Sequence, residues 1–422
     1  MVFMTEINKG AITIVKKLKE AGYLAYFAGG WVRDFVMGHP SSDIDIATNA
    51  PPHVILDLFS HTILVGLSFG VVIVVIEGHQ YEVSTFRKDI NYENGRKPTQ
   101  IELSTPKEDA IRRDFTINGL FFDPITEEIF DYVHGLNDIN LQIVRTIGDP
   151  FERFFEDRLR MIRAIRFAAR FNFHIDLQTQ EAIKENAETL FPAVAMERVW
   201  QEFVKMSKFP NFGWAISEMH RLNLLGVIFP DLKKIHLNDI RKITSAFEFF
   251  PKETPTILYI VRLFPNYTKE EWENLFFYLK ISRKDWILIE FYIKAKQAIE
   301  KEKVQEDVSL WEWAHLYAND YFFLILQIES LYLSQENKEA FFDVHHKRQK
   351  QLDQFVKRIK EKKPILDSCD LLEMGIKPGK NFGVILLEAE KISINQGIET
   401  KEKLLKLLHP SIMQSREHEN NY

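Results

Sequence analysis

The sequence predicts a mixed α/β region followed by a region that is almost entirely helical. In about the first 140 residues, short apolar runs alternate with amphipathic stretches, whereas from Phe151 onward apolar residues recur at helical spacing between prolines and glycines. Of the 422 residues, 45% are hydrophobic, so the chain can build several packed cores and is not globally disordered. At about 150 residues per domain, this length corresponds to two to four domains.

Local signals place the elements of the first region. Apolar residues recur at helical spacing over residues 5–22, and Gly22 ends that helix. A buried strand is predicted at 23–28, after which Gly29-Gly30 turns the chain into a short helix at 31–37. Further strands are predicted at 43–47, 61–66, 69–77 and 79–86, with a helix at 51–59 between the first two.

Composition excludes several classes of protein. The formal net charge of −6 argues against a wholly basic nucleic-acid binder but leaves room for a local basic face. A single cysteine, Cys369, excludes a disulfide framework and a cysteine-based zinc site within one chain, and fits a reducing compartment. The N-terminus lacks the pattern of a signal peptide, and the longest aliphatic stretch, residues 63–76, is too short to span a bilayer. We therefore predict a cytoplasmic protein with no membrane partner.

Two aspartates on one predicted strand are candidate metal ligands. Alternate residues of a strand point to the same face, so Asp43 and Asp45 project together. Neighbouring carboxylates repel each other unless a cation lies between them, and hard oxygen ligands favour Mg²⁺. Glu82 could face the pair from a neighbouring strand as a third carboxylate. The alternative is an ordinary polar strand face.

Two further motifs suit a nucleotide. Gly29 and Gly30 lie at a strand-to-helix turn, where the backbone can approach a phosphate, and Arg33 in the first helical turn could pair with a triphosphate. Downstream, the segment 112–118 holds two arginines, an aspartate and an amide, which suit a triphosphate and a ribose. The alternatives are a tight turn with a surface arginine and a capped, solvated helix end.

A predicted helix at 156–170, within a longer helix at 151–171, carries a row of arginines. Five of its charged residues fall within one half of the helical wheel: Asp157, Arg160, Arg163, Arg166 and Arg170. Five apolar residues fall on the opposite side: Met161, Ile162, Ile165, Ala168 and Ala169. Surface helices normally mix charge signs, whereas here one aspartate precedes four arginines. An ordinary amphipathic helix remains the alternative.

These motifs, in this order, resemble the bacterial and eukaryotic-type tRNA nucleotidyltransferases. That family comprises CCA-adding enzymes and their CC-adding, A-adding and poly(A) polymerase relatives. The resemblance covers about residues 20–205 and includes Glu197-Arg198-x-x-x-Glu202, while residues 371–387 resemble the family's C-terminal end more weakly. It implies a polymerase-β-type nucleotidyltransferase head followed by a helical neck, body and tail. We expect these domains at residues 1–145, 146–208, 209–335 and 336–422.

The resemblance also implies a reaction. Two metal ions held by Asp43 and Asp45 would assist attack of the tRNA 3′-hydroxyl on the α-phosphate of CTP or ATP, with release of pyrophosphate. We place Glu82 beside them as the third carboxylate. The residues expected to bind the nucleotide are Gly29, Gly30, Arg33, Arg113, Asp114, Asn118, Asp157, Arg160, Arg163 and Arg166.

Asp157 and Arg160 are the residues expected to face the base. They are three apart on the predicted helix and would project from one face. A carboxylate only accepts hydrogen bonds and a guanidinium only donates them. Cytosine and adenine both present an amine donor beside a ring-nitrogen acceptor, whereas uracil and guanine reverse the pair. The two side chains therefore match C and A and oppose U and G.

Several alternatives stay open. Residues 65–70 lack the Gly-Arg-Arg-Phe-Arg-like segment typical of poly(A) polymerases, which favours tRNA as substrate. The loop between the metal strands and the Arg-Arg-Asp motif, residues 87–109, is about as long as in full CCA-adding enzymes, which favours addition of all three nucleotides. CC addition or A addition alone, an RNA-binding protein on an inactive scaffold, and a small-molecule nucleotidyltransferase are the other hypotheses. The sequence predicts no oligomeric state.

A basic segment near the C-terminus is a candidate tRNA surface. Residues 347–363 contain eight basic and two acidic residues, which suits binding to an RNA backbone. The candidate tRNA-binding residues are Lys347, Arg348, Lys357 and Arg358. A solvated helix face is the alternative. His345 and His346 would point apart on a helix, so we predict no metal site there.

Overall fold

A computed structural model of the chain describes residues 6–39, 41–64, 70–93, 97–374, 376 and 378–408. The chain divides into two compact units. The first runs to residue 248 and includes residues 278–280, and the second contains residues 249–277 and those from 281 onward. The fold class predicted from the sequence, an α/β region followed by helices, is confirmed. The division into four domains stays a prediction.

A mixed sheet forms the centre of the first unit. Within the described residues it has seven strands: β1 Ala25–Ala28, β2 Asp45–Thr48, β3 Thr62–Leu64, β4 Val71–Ile76, β5 His79–Thr85, β8 Leu120–Asp123 and β9 Glu128–Asp131. Their order across the sheet is β3-β4-β5-β2-β1-β8-β9. Strands β2 and β5 are parallel, and the other neighbouring pairs are antiparallel. The central strand β1 is buried over its whole length, as expected for its apolar sequence.

Part of this region departs from the sequence prediction. The segment predicted as a loop between residues 87 and 109 contains an antiparallel hairpin, β6 Arg87–Glu93 with β7 Lys97–Leu103. Strands β8 and β9 were also not predicted. The hairpin sequence is largely polar, so backbone pairing defines it and apolar periodicity does not reveal it. Strand β2 begins at Asp45, so Asp43 lies just before the strand and not within it.

Helices complete the first unit. They are α1 Glu6–Glu20, α2 Gly30–Val36, α3 Pro52–Leu58, α4 Pro106–Ile111, α5 Gly135–Asn140, α6 Pro150–Glu156, α7 Leu159–Phe171, α8 Leu177–Asn186, α9 Leu190–Ala193, α10 Met196–Met206, α11 Phe212–Arg221, α12 Leu224–Ile228 and α13 Leu237–Thr244. Two short parallel strands, β10 Ile143–Val144 and β11 His174–Ile175, pair between them. Helix α7 is buried along most of its length and packs against α10 and α11.

The continuous helix predicted at 156–170 is wrong. Helix α6 ends at Glu156 and α7 begins at Leu159. Asp157 between them has an extended backbone, with φ −147° and ψ 105°. Its Oδ1 accepts a hydrogen bond from the Leu159 N–H at 3.1 Å. Aspartate stabilises helix starts in this way, and the apolar spacing alone continues through such a break.

The second unit is helical. Its helices are α14 Thr256–Ile260, α15 Lys269–Leu279, α16 Arg283–Lys303, α17 Leu310–Ala318, α18 Phe322–Ser330, α19 Gln335–Glu361, α20 Ser368–Glu373 and α21 Lys380–Asn395, the end of α15 being grouped with the first unit. Helix α17 packs against α19 and α21. Leu371, Ala389 and Leu404 belong to one buried apolar cluster. In the described part of the chain, no helix has both the length and the apolar character needed to cross a membrane.

Candidate active site

One cleft in the first unit gathers the predicted metal and nucleotide residues. It has a volume of about 870 Å³. The predicted residues that line it are Gly29, Gly30, Arg33, Asp43, Asp45, Glu82, Arg113, Asp114, Asn118, Asp157, Arg160, Arg163 and Arg166. They come from strands, turns and helices that lie far apart in the sequence, so the fold brings together what the sequence presents as separate motifs.

The carboxylates of the cleft lie on two neighbouring strands. The parallel register of β2 and β5 places Asp45 opposite Glu82, and Asp43 lies two residues before the start of β2. Burial, together with the negative charges of Glu82 and Asp43, raises the pKa of Asp45 to about 7. A bound cation would relieve this repulsion, so the donor chemistry fits a hard divalent ion. Among the described residues, however, no three histidine, cysteine or carboxylate side chains are grouped closely enough to hold an ion.

The glycine turn lies directly against an arginine. Gly29 has φ +69° and ψ −124°, a conformation that L side chains rarely adopt. A Cβ built on Gly29 would lie 2.6 Å from Nη1 of Arg113, whereas one on Gly30 would meet only Arg33 Nη2, at an ordinary 3.6 Å. Position 29 therefore requires glycine for two reasons: its backbone conformation and the close approach of Arg113. The turn and Arg113 form one surface of the cleft.

Asp109, which the sequence analysis missed, orients that arginine. Its carboxylate is almost completely buried. Oδ2 accepts hydrogen bonds from Nη2 of Arg113 at 3.0 Å, and Oδ1 accepts one from Nε of Arg112 at 2.8 Å. Burial opposes ionisation of Asp109, but the two arginines outweigh it and lower its pKa. The sequence did contain a signal for this contact, because Asp109 lies three residues before Arg112 and four before Arg113, the spacing at which helical side chains meet.

Arg33 is held by protein groups. Its guanidinium is buried and donates to Oδ1 of Asp34 from Nε at 2.9 Å and from Nη2 at 2.7 Å. Nη1 donates to the side-chain oxygen of Asn118. The group also lies over the ring of Phe171, 4.5 Å from its centroid. Burial lowers the pKa of Arg33 to about 10, against the opposing effect of Asp34. Its predicted contact with a triphosphate stays a prediction.

Asp114 and Asn118 continue this network. Asn118 Nδ2 donates to Oδ1 of Asp114 at 2.9 Å, and Nε of Arg163 donates to Oδ2 at 2.8 Å. Burial opposes ionisation of Asp114, but Arg163 and the Asn118 amide outweigh it and hold the pKa of Asp114 well below its usual range. The carboxylate is therefore charged at neutral pH, and each of its oxygens has a fixed partner.

Each arginine of the row on α7 contacts a carboxylate from another part of the fold. The pairs are Arg160 with Glu156, Arg163 with Asp114, Arg166 with Glu202, and Arg170 with Asp34. The negative charges that are missing from the arginine face of α7 are thus supplied by α6, α10, α2 and the turn after α4. The i,i+4 spacing of Glu156 and Arg160 predicts their pairing, whereas Glu202 and Asp34 lie too far along the sequence from Arg166 and Arg170 for spacing to pair them.

Asp157 and Arg160 both line the cleft, but they are oriented differently from the prediction. Asp157 Oδ2 accepts a hydrogen bond from Nη2 of Arg198 at 3.1 Å. Arg160 Nη1 donates to Oε2 of Glu156 at 2.6 Å and to the carbonyl of Arg153 at 3.0 Å. The helix break at Asp157 means that their relation comes from these partners and not from a shared helix face.

The candidate tRNA-binding residues lie on α19 of the second unit. Lys347 and Lys357 are exposed. Arg348 contacts Glu302 and lies 4.3 Å above the ring of Trp313, and Arg358 Nη2 donates to the carbonyl of Glu399 at 2.9 Å. The two lysines therefore present charge to solvent, while the two arginines also hold the unit together. His345 is buried and His346 is exposed, as their adjacent positions predict.

Two family models match the chain. The poly A polymerase head domain matches residues 25–145, which include the sheet and most of the cleft. A model described as the probable RNA and SrmB-binding site of polymerase A matches residues 172–235.

Curated relatives and a solved structure match nearly the whole length. A CCA-adding enzyme of Pediococcus pentosaceus is 32% identical over 96% of this chain and 98% of that protein. One from Streptococcus agalactiae is 30% identical over 96% and 97%. The crystal structure of the Bacillus stearothermophilus CCA-adding enzyme in complex with CTP superposes with a TM-score of 0.72 at 25% identity, covering 98% of this chain and 100% of that one.

Proposed function

Because this chain belongs to the CCA-adding enzyme family of tRNA nucleotidyltransferases, we propose that its cleft adds C and A to the 3′ end of tRNA with the residues assigned below. The chain is a template-independent nucleotidyltransferase with a polymerase-β-type head. The observation that carries the assignment of residues is the single cleft that contains both the acidic pair Asp43–Asp45 and the pair Asp157–Arg160.

Asp43 and Asp45 would hold the divalent metal that the family uses, which we propose to be Mg²⁺. When bound, Mg²⁺ lowers the pKa of the attacking hydroxyl and neutralises charge on the triphosphate. Glu82 adds its negative charge beside Asp45 from the next strand and supports cation binding there. We propose Glu82 as a third carboxylate of the site.

The nucleotide's phosphates and ribose are proposed to lie against the glycine turn. Gly29 and Gly30 admit the phosphates, Arg113 binds them from a position fixed by Asp109, and Asp114 and Asn118 face the ribose. The arginines Arg33, Arg163 and Arg166 contribute positive charge to this pocket while their carboxylate partners keep them in place. The tRNA 3′-hydroxyl releases its proton to water, and its oxygen forms a bond to the α-phosphorus. The bond from the α-phosphorus to the oxygen that bridges to the β-phosphate breaks, and pyrophosphate leaves.

Asp157 and Arg160 are proposed to select the base. Asp157 accepts from the exocyclic amine of C or A, and Arg160 donates to the adjacent ring nitrogen. Arg198 and Glu156 hold the two side chains in the cleft. A base with the reverse pattern leaves buried donors and acceptors unpaired, at a cost of about 1–3 kcal/mol for each group. Selection therefore needs no nucleic-acid template.

The second unit is proposed to bind the body of the tRNA. Lys347 and Lys357 on α19 supply exposed positive charge for the RNA backbone. We place the reaction in the cytoplasm, which fits a sequence with one cysteine in 422 residues. We retain residues 1–145, 146–208, 209–335 and 336–422 as the proposed head, neck, body and tail.

The test is extension of a tRNA that lacks its 3′-terminal CCA. Incubation with CTP alone should add two residues, and CTP with ATP should add three, as sized on a gel. An Asp45→Asn variant should fold normally and add none. A product that stops after two residues with both nucleotides would indicate a CC-adding enzyme, and a long tail with ATP alone would indicate a poly(A) polymerase. No extension by the parent chain would favour the inactive RNA-binding scaffold.

A further inference from the structure

A buried carboxylate joins α2 to α7. Asp34 is 3% exposed, and both of its oxygens are used. Oδ1 accepts two hydrogen bonds from Arg33, its neighbour on α2, and Oδ2 accepts one from Nη2 of Arg170 on α7 at 2.8 Å. Asp34 is therefore the negative charge between one cation from each helix.

The two cations lie close together around one ring. Arg33 and Arg170 lie 4.5 Å and 4.7 Å from the ring centroid of Phe171. Burial lowers the pKa of Arg33, and the positive charge of Arg170 close by acts in the same direction. Two like charges at this separation repel each other. Because Asp34 offsets this repulsion in a buried environment, the approach of α2 to α7 depends on its charge.

The same contact belongs to a series of hydrogen bonds among residues that line the cleft. The series passes through Arg170, Asp34, Arg33, Asn118, Asp114 and Arg163, in that order. It begins and ends on α7, at positions seven residues and so about 10 Å apart along the helix axis. It thereby fixes the glycine turn and the segment 112–118 to the face of α7 that lines the cleft.

We propose that Asp34 is a positioning residue, and that its pairing with Arg170 aligns the Gly29–Gly30 turn with α7 for nucleotidyl transfer. This inference rests on the proposed function. Without the pair, the base and phosphate contacts remain available, so the nucleotide still binds. The α-phosphate is then misaligned with the attacking hydroxyl, and small displacements of reacting atoms reduce rates strongly. We therefore expect kcat to fall while KM for CTP changes little.

Substitution of Arg170 tests this directly. Only one N–H of Arg170 contacts Asp34, so Arg170→Lys can supply the same charged donor, whereas Arg170→Gln cannot supply the charge. For single-nucleotide addition to tRNA, Arg170→Gln should lower kcat by about 10- to 100-fold with KM for CTP within about threefold of the parent. Arg170→Lys should keep kcat within about fivefold. Because Arg170 is partly exposed, these variants are expected to fold.

A second buried carboxylate provides the control. Asp123 is also almost fully buried and pairs with Lys19, but it lies outside the residues that line the cleft. Asp123→Asn should lose stability in thermal unfolding and retain the parent kcat. Asp34→Asn removes the shared charge and should reduce kcat at least as far as Arg170→Gln. When Asp34→Asn and Arg170→Gln are combined, the fold-reduction in kcat should be smaller than the product of the fold-reductions of the two single variants.

The outcomes separate the inference from the proposed function. If the parent chain extends tRNA but Arg170→Gln and Arg170→Lys lose kcat equally, the charged pair is not what aligns the site. A rise in KM with unchanged kcat would instead make Arg170 a nucleotide-binding residue, and that result also overturns the inference. Absence of extension by the parent chain would refute the proposed function itself.

Discussion

Replacement of Gly29 by alanine should disable the cleft without unfolding the chain. The φ of +69° with ψ of −124° is strained for any L residue, which costs about 1–3 kcal/mol of stability. The added Cβ would lie 2.6 Å from Nη1 of Arg113, while ordinary contacts begin at 3.4 Å, so the guanidinium has to move by about 0.8 Å. A shift of that size in a group that binds phosphate should reduce kcat/KM for CTP by about 10- to 100-fold.

The assay compares Gly29→Ala with Gly38→Ala. Gly38 follows the other end of α2 and has φ +72°, and a Cβ added to it would meet no heavy atom within 4 Å. Gly38→Ala therefore carries the backbone strain without the collision. Both variants should unfold at lower temperature than the parent. In steady-state CMP addition, only Gly29→Ala should lose kcat/KM, and Gly38→Ala should stay within about twofold.

Two results would refute this reasoning. If Gly29→Ala kept kcat/KM within about threefold of the parent, Arg113 would not need its observed position for the reaction. If Gly38→Ala lost as much activity as Gly29→Ala, backbone strain at the ends of α2, and not the displacement of Arg113, would be the cause. Thermal unfolding monitored on the same samples shows whether either loss reflects an unfolded fraction.

Four other variants test separate parts of the chain. Asp157→Ala should lose activity with CTP and much of its discrimination against UTP, measured as kcat/KM for all four nucleotides; a variant that still rejects UTP as the parent does would place selection elsewhere. Asp109→Asn, which removes the charge that orients Arg113, should raise KM for CTP by about tenfold and lower kcat less; an unchanged KM would contradict its role. Lys347→Gln should raise KM for tRNA, leave KM for CTP unchanged, and reduce by about one the slope of the logarithm of the tRNA binding constant against the logarithm of salt concentration. An unchanged slope would mean that Lys347 is only a solvated surface residue. Burial lowers the pKa of His345 to about 3, so between about pH 6.5 and pH 3 the unfolded chain takes up a proton that the folded chain does not. The free energy of unfolding should therefore fall by up to about 1.4 kcal/mol per pH unit as pH decreases. His345→Gln should lose this contribution in urea unfolding, and an equal pH slope in the variant would contradict the assignment.

The fold class followed from patterns that are local. Apolar spacing located helix α1 and strands β1, β4 and β5 to within two residues at each end. The hairpin of β6 and β7 escaped prediction because its strands pair with each other through backbone groups and its sequence has no strong apolar alternation. The break at Asp157 escaped because apolar residues recur on both sides of it with helical spacing. Periodicity reports which face is buried, and it does not report where backbone hydrogen bonding stops.

For the carboxylates of the cleft, too, the sequence predicted one part of the arrangement and the tertiary structure decided the other. The sequence predicted that Asp43 and Asp45 lie together, since two residues of separation on or beside a strand fix their relative position. It suggested Glu82 as their neighbour, and the parallel register of β2 with β5 places Glu82 opposite Asp45. That register depends on strands separated by the helix α3 and two other strands, so spacing alone could not have set it. The role of Glu82 as a third carboxylate of the reaction stays a prediction.

The sequence by itself determined the chemical groups of the cleft, because an acidic pair, a glycine turn and a run of arginines are properties of short segments. Only the tertiary structure decided which of those groups are already paired. Arg170 and Asp34 are 136 residues apart, and Arg163 and Asp114 are 49 apart. Whether a guanidinium binds substrate directly or holds the fold depends on the partner that lies within hydrogen-bonding distance. That partner is set by how strands and helices pack, because burial makes an unpaired charge too costly to leave uncompensated.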